Sequence, residues 1–314
     1  MRPEQDLSKS RLSLAAALVT MLVWGMNFAF VKHVLDRLGV EALIFIRFAV
    51  LPALGFLMLL VIFRSQIRHT WPRREDLPRF IACGLIGHGL HIAVVMYGMD
   101  LSTPFSSSLV LTSGPLFTLI ILAVLGVERL RLRQVVGTLV ALAGIALFLS
   151  DKFAAGFSRA GLGDLVLLLA AGLFALYTVM VQPIAKRYGP LIVLCYTLLF
   201  SAPPILIWTL PGFLATRPGT YSTSVLFGLV WAIVVSSFFG WLMWTWVNTV
   251  RGVARSAPIA YLMPPIAGVV AWLTLGEVFT WLKIAGAIIT MAGVAYAQFG
   301  AGPPPKEAGQ PDSA

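Results

Sequence analysis

Apolar runs of about 20 residues recur along the chain, separated by short polar or glycine- and proline-containing breaks. A run of that length crosses a hydrocarbon core of about 30 Å as an α-helix. The pattern predicts ten helices, near 12–35, 40–63, 79–98, 104–125, 133–150, 162–183, 189–210, 224–247, 255–275 and 281–299. Most connections are short, so consecutive helices are antiparallel neighbours. The longest, "RSQIRHTWPRREDLPR" (64–79), reads as a solvated basic segment that sets topology. The tail 301–314, rich in Pro and Gly, reads as disordered.

Composition agrees with an all-α polytopic membrane protein. Of 314 residues, 59% are hydrophobic and only 11% charged, where a soluble domain carries about a quarter charged residues. The net charge of +10 would point to nucleic acid in a soluble protein. Here the basic residues lie between spans, where they set orientation: sixteen of the 23 fall on one side, six on the other, and Arg47 lies within a span. The positive-inside rule then puts both termini in the cytoplasm, in a bacterial-type inner membrane. The bilayer is the expected partner and nucleic acid is not. Cys83 and Cys195 sit inside apolar runs, which supports neither a disulfide framework nor a metal site. The first span is too long for a cleaved signal peptide and reads as a retained helix. No cofactor is expected.

The chain also repeats itself. A shift of 149 places Pro115 on Pro264, Glu128 on Glu277, Gly137 on Gly286, Ala143 on Ala292 and Gly144 on Gly293; a shift of 150 places Gly39 on Gly189. Two five-helix units result, over 12–150 and 162–299. Five is odd, so the second unit is inserted upside down relative to the first. Inverted repeats of this kind are common in secondary transporters whose site lies near the bilayer midplane. Glu128 and Glu277 then mark opposite edges, about a bilayer apart. They cannot form a paired acid–base site and read as fold markers at the N-termini of the fifth and tenth helices, where a carboxylate suits the helix dipole.

Each unit ends in a pattern carried by Pro115, Gly126, Glu128, Gly137 and Gly144, then by Pro264, Gly276, Glu277, Gly286 and Gly293. With "VWGMNFAFVK" (23–32) and "IRF" (46–48), this resembles the EamA domains of the drug/metabolite transporter superfamily, over nearly the whole chain. Within that superfamily it is most similar to bacterial exporters of amino acids and related metabolites. The first unit reads "GVE" where the second reads "GE", so the spacing before the glutamate differs by one residue.

Polar groups inside a membrane are costly and mark candidate sites. Arg47, about two turns into the second span, is a candidate carboxylate anchor through bidentate hydrogen bonds; the alternative is an arginine that snorkels or satisfies backbone carbonyls. His88 and His91 share a face with Gly84 in the third span and read as cavity lining and as candidate proton carriers. The alternative is a neutral pair hydrogen-bonded to a neighbouring helix. In the eighth span Trp241, Trp244, Thr245 and Asn248 form one stripe; Trp241 and Thr245 are the pocket candidates, while Trp246 reads as interfacial belt. Trp24 and Asn27 share a face of the first span, and the shift of 150 matches them to Phe174 and Tyr177 in the sixth. Packing alone is the competing account for these four. Pro115 and Pro264 read as hinges or kinks. No Asp or Glu is placed deep in a span.

No nucleotide-binding loop or nucleophile–base pair is present, so transport driven by this chain's own ATP hydrolysis is not expected. The leading reading is a secondary transporter that exports an amino acid or related amphipathic or aromatic metabolite by alternating access. A competing reading is a membrane sensor or assembly subunit on the same scaffold. An intramembrane enzyme would need a convergent acid–base or metal constellation, which the sequence lacks.

Overall fold

The computed structural model describes residues 2–64, 67, 70–125, 132–154, 159–217, 220–251 and 257–299, and among these it contains helices and no strand. Ten helical stretches run in chain order. They are α1 (Arg2–Leu38), α2 (Val40–Phe63), α3 (Leu77–Leu101), α4 (Pro104–Val124) and α5 (Leu132–Ala154), then α6 (Arg159–Tyr188), α7 (Pro190–Ala215), α8 (223–251), α9 (Ile259–Leu275) and α10 (Trp281–Phe299). Eight are long and apolar enough to cross a membrane; α9 and α10 are shorter apolar helices. Leucine, isoleucine and valine side chains that would be buried in a soluble protein stay exposed here, among them Leu57, Val61, Ile207, Leu273 and Val278. An apolar exterior of this kind suits lipid, which offers no penalty for it.

The two sharpest connections are made by glycine. Gly39, between α1 and α2, adopts φ 80°, ψ 169°, and Gly189, between α6 and α7, adopts φ 84°, ψ 152°. Residues with a Cβ rarely enter that region, so both turns demand the residue the sequence supplies.

Packing pairs the helices across the chain. α5 lies along α10 in the most extensive contact; α2 packs on α7, α3 on α6, α1 on α8 and α9, and α4 on both α6 and α9. The α5–α10 seam is built from small residues. A Cβ on Gly137 would sit 2.7 Å from the Gly293 carbonyl oxygen, and one on Gly144 would sit 2.9 Å from that of Gly286. Residue numbers rise along α5 as their partners fall along α10, Gly137 meeting Gly293 and Gly144 meeting Gly286, so the two helices are antiparallel.

Helices α4 and α9 are interrupted beside the two marked prolines. α4 breaks at Ser113 and resumes at Gly114 with Pro115 in its first turn; α9 opens as a 3₁₀ turn, Ala257–Leu262, and becomes α-helical at Met263 with Pro264 in its first turn. A first-turn proline loses no intrahelical bond, so each residue restarts a helix at a break. Glu128 lies outside the described residues. Glu277 does not sit in the first turn of its own helix, since α10 begins at Trp281; its Oε2 accepts a 3.4 Å hydrogen bond from the Phe105 N–H. The carboxylate therefore faces the N-terminus of α4, a favourable dipole contact with a different helix from the one expected. Gly276, left-handed at φ 64°, ends α9 and turns the chain toward that contact.

Two edges depart from the sequence reading. α6 starts at Arg159, earlier than 162, and Asp164 near its start is fully buried and accepts a hydrogen bond from Ser102 Oγ. Gly98 and Gly163 let α3 and α6 approach closely beside it, since a Cβ on Gly163 would meet the Gly98 oxygen at 2.8 Å. A buried carboxylate thus exists where none was expected. At the opposite end of α3, residues 70–76 are docked on the protein. Thr70 is 3% exposed and bonds the Tyr196 hydroxyl at 2.9 Å, Trp71 packs edge-on against Tyr196, and the Tyr188 hydroxyl accepts from the Arg73 N–H.

The same edge carries a pH-sensitive contact. Asp76 accepts from Tyr188 Oη at 2.6 Å and from Arg187 at 2.6 Å. The Tyr188 hydrogen bond, opposed by partial burial and helped by Arg187, holds its carboxyl below the usual carboxylate range. A depressed carboxylate contributes stability above its unfolded value, about 3.9, and loses it as pH falls through the folded value. Thermal melts of detergent-solubilised protein should therefore show a loss of stability below about pH 4 that shrinks in Asp76→Asn. Identical pH profiles for the two proteins would refute this contact's role.

Candidate functional site

The site grows from two departures in helix geometry. Residues Gly84–Leu90 of α3 and Trp231–Phe239 of α8 are π-helical. A π turn is wider than an α turn and is frequent at functional sites. Its hydrogen bonds span five residues: the His91 N–H reaches Ile86 O, and the Gly240 N–H reaches Val235 O. These two bonds are 149 residues apart, so the widened turns occupy matching places.

Both widened turns open onto one cavity. From α3 it is lined by Gly87, His88, His91 and Ile92; from α8, by Ser237, Phe238, Trp241 and Leu242. The second four follow the first four at an offset of 150. Arg47 of α2, Phe174 and Tyr177 of α6 and Cys195 of α7 complete the walls used below. The cavity volume is about 60 Å³, below the ~300–1,000 Å³ of small-molecule pockets, so a cargo of amino-acid size needs the walls to part.

Inside, the chemistry of the two sides differs. His88 is 8% exposed and lies 3.4 Å from the Tyr177 hydroxyl through Nε2. His91 Nδ1 is 3.1 Å from the Gly87 carbonyl oxygen. A carbonyl only accepts, so Nδ1 carries the proton there and Nε2 of the neutral ring is an acceptor. The His91 ring also packs against Phe174, with centroids 5.3 Å apart. Opposite, Trp241 packs against Trp24 at 6.3 Å, a contact at the offset equivalent to His91–Phe174. One wall is thus imidazole and phenol, the other indole and phenyl.

Arg47 supplies the only charge among the described lining residues. Among the described residues it has neither a carboxylate within ion-pair distance nor a hydrogen-bond acceptor. Glu41, the nearest acidic residue in its own helix, is six residues away, about 9 Å along the axis, and is not part of the lining.

Of the candidates read from the sequence, the structure brings Arg47, His88, His91, Tyr177 and Trp241 to this cavity. Trp24 and Asn27 stand outside its lining. Trp24 is behind Trp241, its Nε1 donating to Ser236 O at 2.9 Å and its ring 5.7 Å from Trp244. Asn27 has a buried Oδ1 without a hydrogen-bond partner among the described residues. The side chains of Thr245 and Asn248 lie outside the described ones. Gly84 faces α7, where a Cβ would meet Thr197 O at 2.5 Å, and Gly87 seats the Tyr177 ring, which a Cβ there would overlap; of the two, Gly87 is in the cavity lining. Gly87, Ser237 and Cys195 were not singled out from the sequence. The triplet Gly84, Gly87, Gly89 was the one available signal, since three glycines in six residues rarely belong to an ordinary membrane helix turn.

Comparison with known proteins follows the same lines. The model of the EamA-like transporter family matches residues 11–150 and 161–297. A probable terminal-alkyne amino-acid exporter from Streptantibioticus cattleyicolor is 29% identical over 89% of this chain and 91% of its own. A probable amino-acid metabolite efflux pump from Salmonella typhimurium is 26% identical over 90% of this chain and 94% of its own. A crystal structure with 18% identity superposes with a TM-score of 0.62 over 92% of this chain and 98% of its own, a likeness of fold alone.

Proposed function

Because the chain belongs to the EamA-like transporter family and is a multi-pass membrane transporter, we propose that it exports amino acids or related small amphipathic or aromatic metabolites. The route is alternating access, in a bacterial-type inner membrane, with both termini in the cytoplasm. The observation that carries this reading is the cavity itself, where matching residues of α3 and α8 meet around one unpaired guanidinium. Similarity to the amino-acid exporter and the amino-acid metabolite efflux pump above supports the cargo class.

The ten-helix inverted repeat belongs to the same reading. It is supported by the 150-residue offset of Gly39 and Gly189, the paired π segments, and the antiparallel α5–α10 seam. In that seam Gly137 meets Gly293 and Gly144 meets Gly286, although the sequence shift equates Gly137 with Gly286. A two-fold axis between two copies requires such crossed contacts.

Cargo would place its carboxylate on Arg47 and its apolar body against Trp241 and Tyr177. Proton coupling, where it operates, falls to His91, whose Nε2 is a free acceptor in the neutral ring, with His88 behind it. Purified protein in liposomes is expected to show saturable counterflow of an aromatic amino acid or a derivative of one. Trp241→Ala should lower the rate roughly tenfold, since loss of a stacking partner costs about 1.4 kcal/mol. His91→Gln should flatten the response to an imposed pH gradient. Binding without any flux would instead favour the sensor reading.

A further inference from the structure

The transport reading leaves open which part of an amino acid the cavity recognises. An amino acid at neutral pH carries two opposite charges, and a site that reads both offers a partner to each. Here the lining offers one. Arg47 is cationic and unpaired, while no described lining residue is acidic. Described carboxylates lie elsewhere: Glu75 and Asp76 with Arg187 at one edge, Asp36 and Asp100 with Lys32 and Arg159 at the other, Asp164 with Ser102, Glu41 with the Tyr97 hydroxyl and Glu277 with the Phe105 N–H.

The consequence concerns the α-ammonium. A carboxylate held on the guanidinium carries its ammonium to within ~4–6 Å of the same cation, a range in which like charges disfavour one another. Rings such as Tyr177 and Trp241 attract a desolvated cation substantially, but they attract the neighbouring guanidinium as well and so do not favour the ammonium over it. What the cavity does offer to nitrogen is a neutral acceptor. With Nδ1 committed to the Gly87 carbonyl, His91 Nε2 can accept a hydrogen bond from an N–H of any kind. An amide N–H makes a weaker bond to it than an ammonium does, but brings no positive charge toward Arg47.

We therefore propose that the cavity's own cargo class is the monoanionic carboxylate with an apolar or aromatic body whose amine is acylated or absent. This rests on the transporter reading above and narrows it. The carboxylate is obligatory, a neutral N–H adds to binding, and a free ammonium subtracts from it.

Four compounds with one side chain separate the terms: N-acetylphenylalanine, 3-phenylpropionate, phenylalanine and phenylalaninamide. Each is added to the purified full-length protein, and binding is read from thermal stabilisation across a concentration series; counterflow is then measured in liposomes. N-acetylphenylalanine is expected to bind about tenfold more tightly than phenylalanine, with 3-phenylpropionate between them and phenylalaninamide without effect. Phenylalanine binding as tightly as its N-acetyl derivative, or more tightly, would overturn the inference and leave the export reading intact. Binding by phenylalaninamide would overturn the role of the carboxylate. Binding in the expected order with no counterflow would uphold the inference and overturn export. No binding and no counterflow by any of the four would overturn both.

Discussion

Replacing Gly144 with leucine is expected to prevent recovery of folded protein, whereas Gly172→Ala should be neutral or stabilising. Both glycines lie inside long apolar helices, and the difference comes entirely from what stands beside them. Nothing lies within 4 Å of a Cβ placed on Gly172. Alanine there gains helix propensity, worth roughly 0.5–1 kcal/mol. At Gly144 a Cβ would meet the Thr290 hydroxyl oxygen at 2.6 Å and the Gly286 oxygen at 2.9 Å, and the reciprocal Cβ on Gly286 would meet the Phe148 backbone nitrogen at 2.6 Å.

Those neighbours are largely backbone, which cannot rotate aside as a flexible side chain can. In lipid the apolar side chains gain little from burial, so close backbone approach is what holds such helices together. Forcing α5 from α10 should cost about 3 kcal/mol or more, the upper end of overpacking penalties. Thermal midpoints and size-exclusion profiles in detergent measure both variants. A monodisperse Gly144→Leu protein melting within about 2 °C of the parent would show that the seam tolerates separation.

How much of this was legible beforehand follows from the same physics. Glycines 137, 144, 286 and 293 stood out because small residues at a fixed spacing are readable in sequence, and their crossed pairing follows once the axis is placed. Arg47, His88, His91, Tyr177 and Trp241 stood out because polar or amphipathic groups are conspicuous in apolar runs. The widened turns were not legible: a π segment changes the hydrogen-bond register without changing composition. Trp24 was read as a site residue from its shared face with Asn27 and its match to Phe174, yet its indole packs on Trp241 and Trp244 and bonds Ser236. Sequence shift equates positions, and side-chain volume decides which of them reach the cavity. Asp164 was passed over because it falls in the first turns of a predicted span, where a carboxylate reads as interfacial; its burial comes from Ser102 and the close approach of Gly98 and Gly163.

Arg47→Gln is expected to abolish most transport while leaving the protein as stable as the parent, or more so. The two readings of this arginine predict opposite stability effects, which makes the pair of measurements decisive. An arginine that holds the fold by bonding carbonyls would leave them unsatisfied when removed, at about 1–3 kcal/mol. The observed guanidinium has no acceptor or carboxylate among the described residues. A charge in a membrane-spanning helix carries a penalty of about 2.5–3.5 kcal/mol on insertion scales, and the neutral amide removes it. Such a cost is retained where an anion arrives to offset it.

Losing a bidentate, charge-assisted contact should cost about 3 kcal/mol in cargo binding, roughly a hundredfold. Arg47→Lys keeps the charge and loses the planar fork, so it should fall between the two. Counterflow in liposomes gives the activity and thermal denaturation gives the stability. Retained counterflow in Arg47→Gln would remove the carboxylate anchor from the mechanism. Lost counterflow accompanied by a matching loss of stability would return Arg47 to a structural role, because the unpaired cation would then have been holding helices and not cargo.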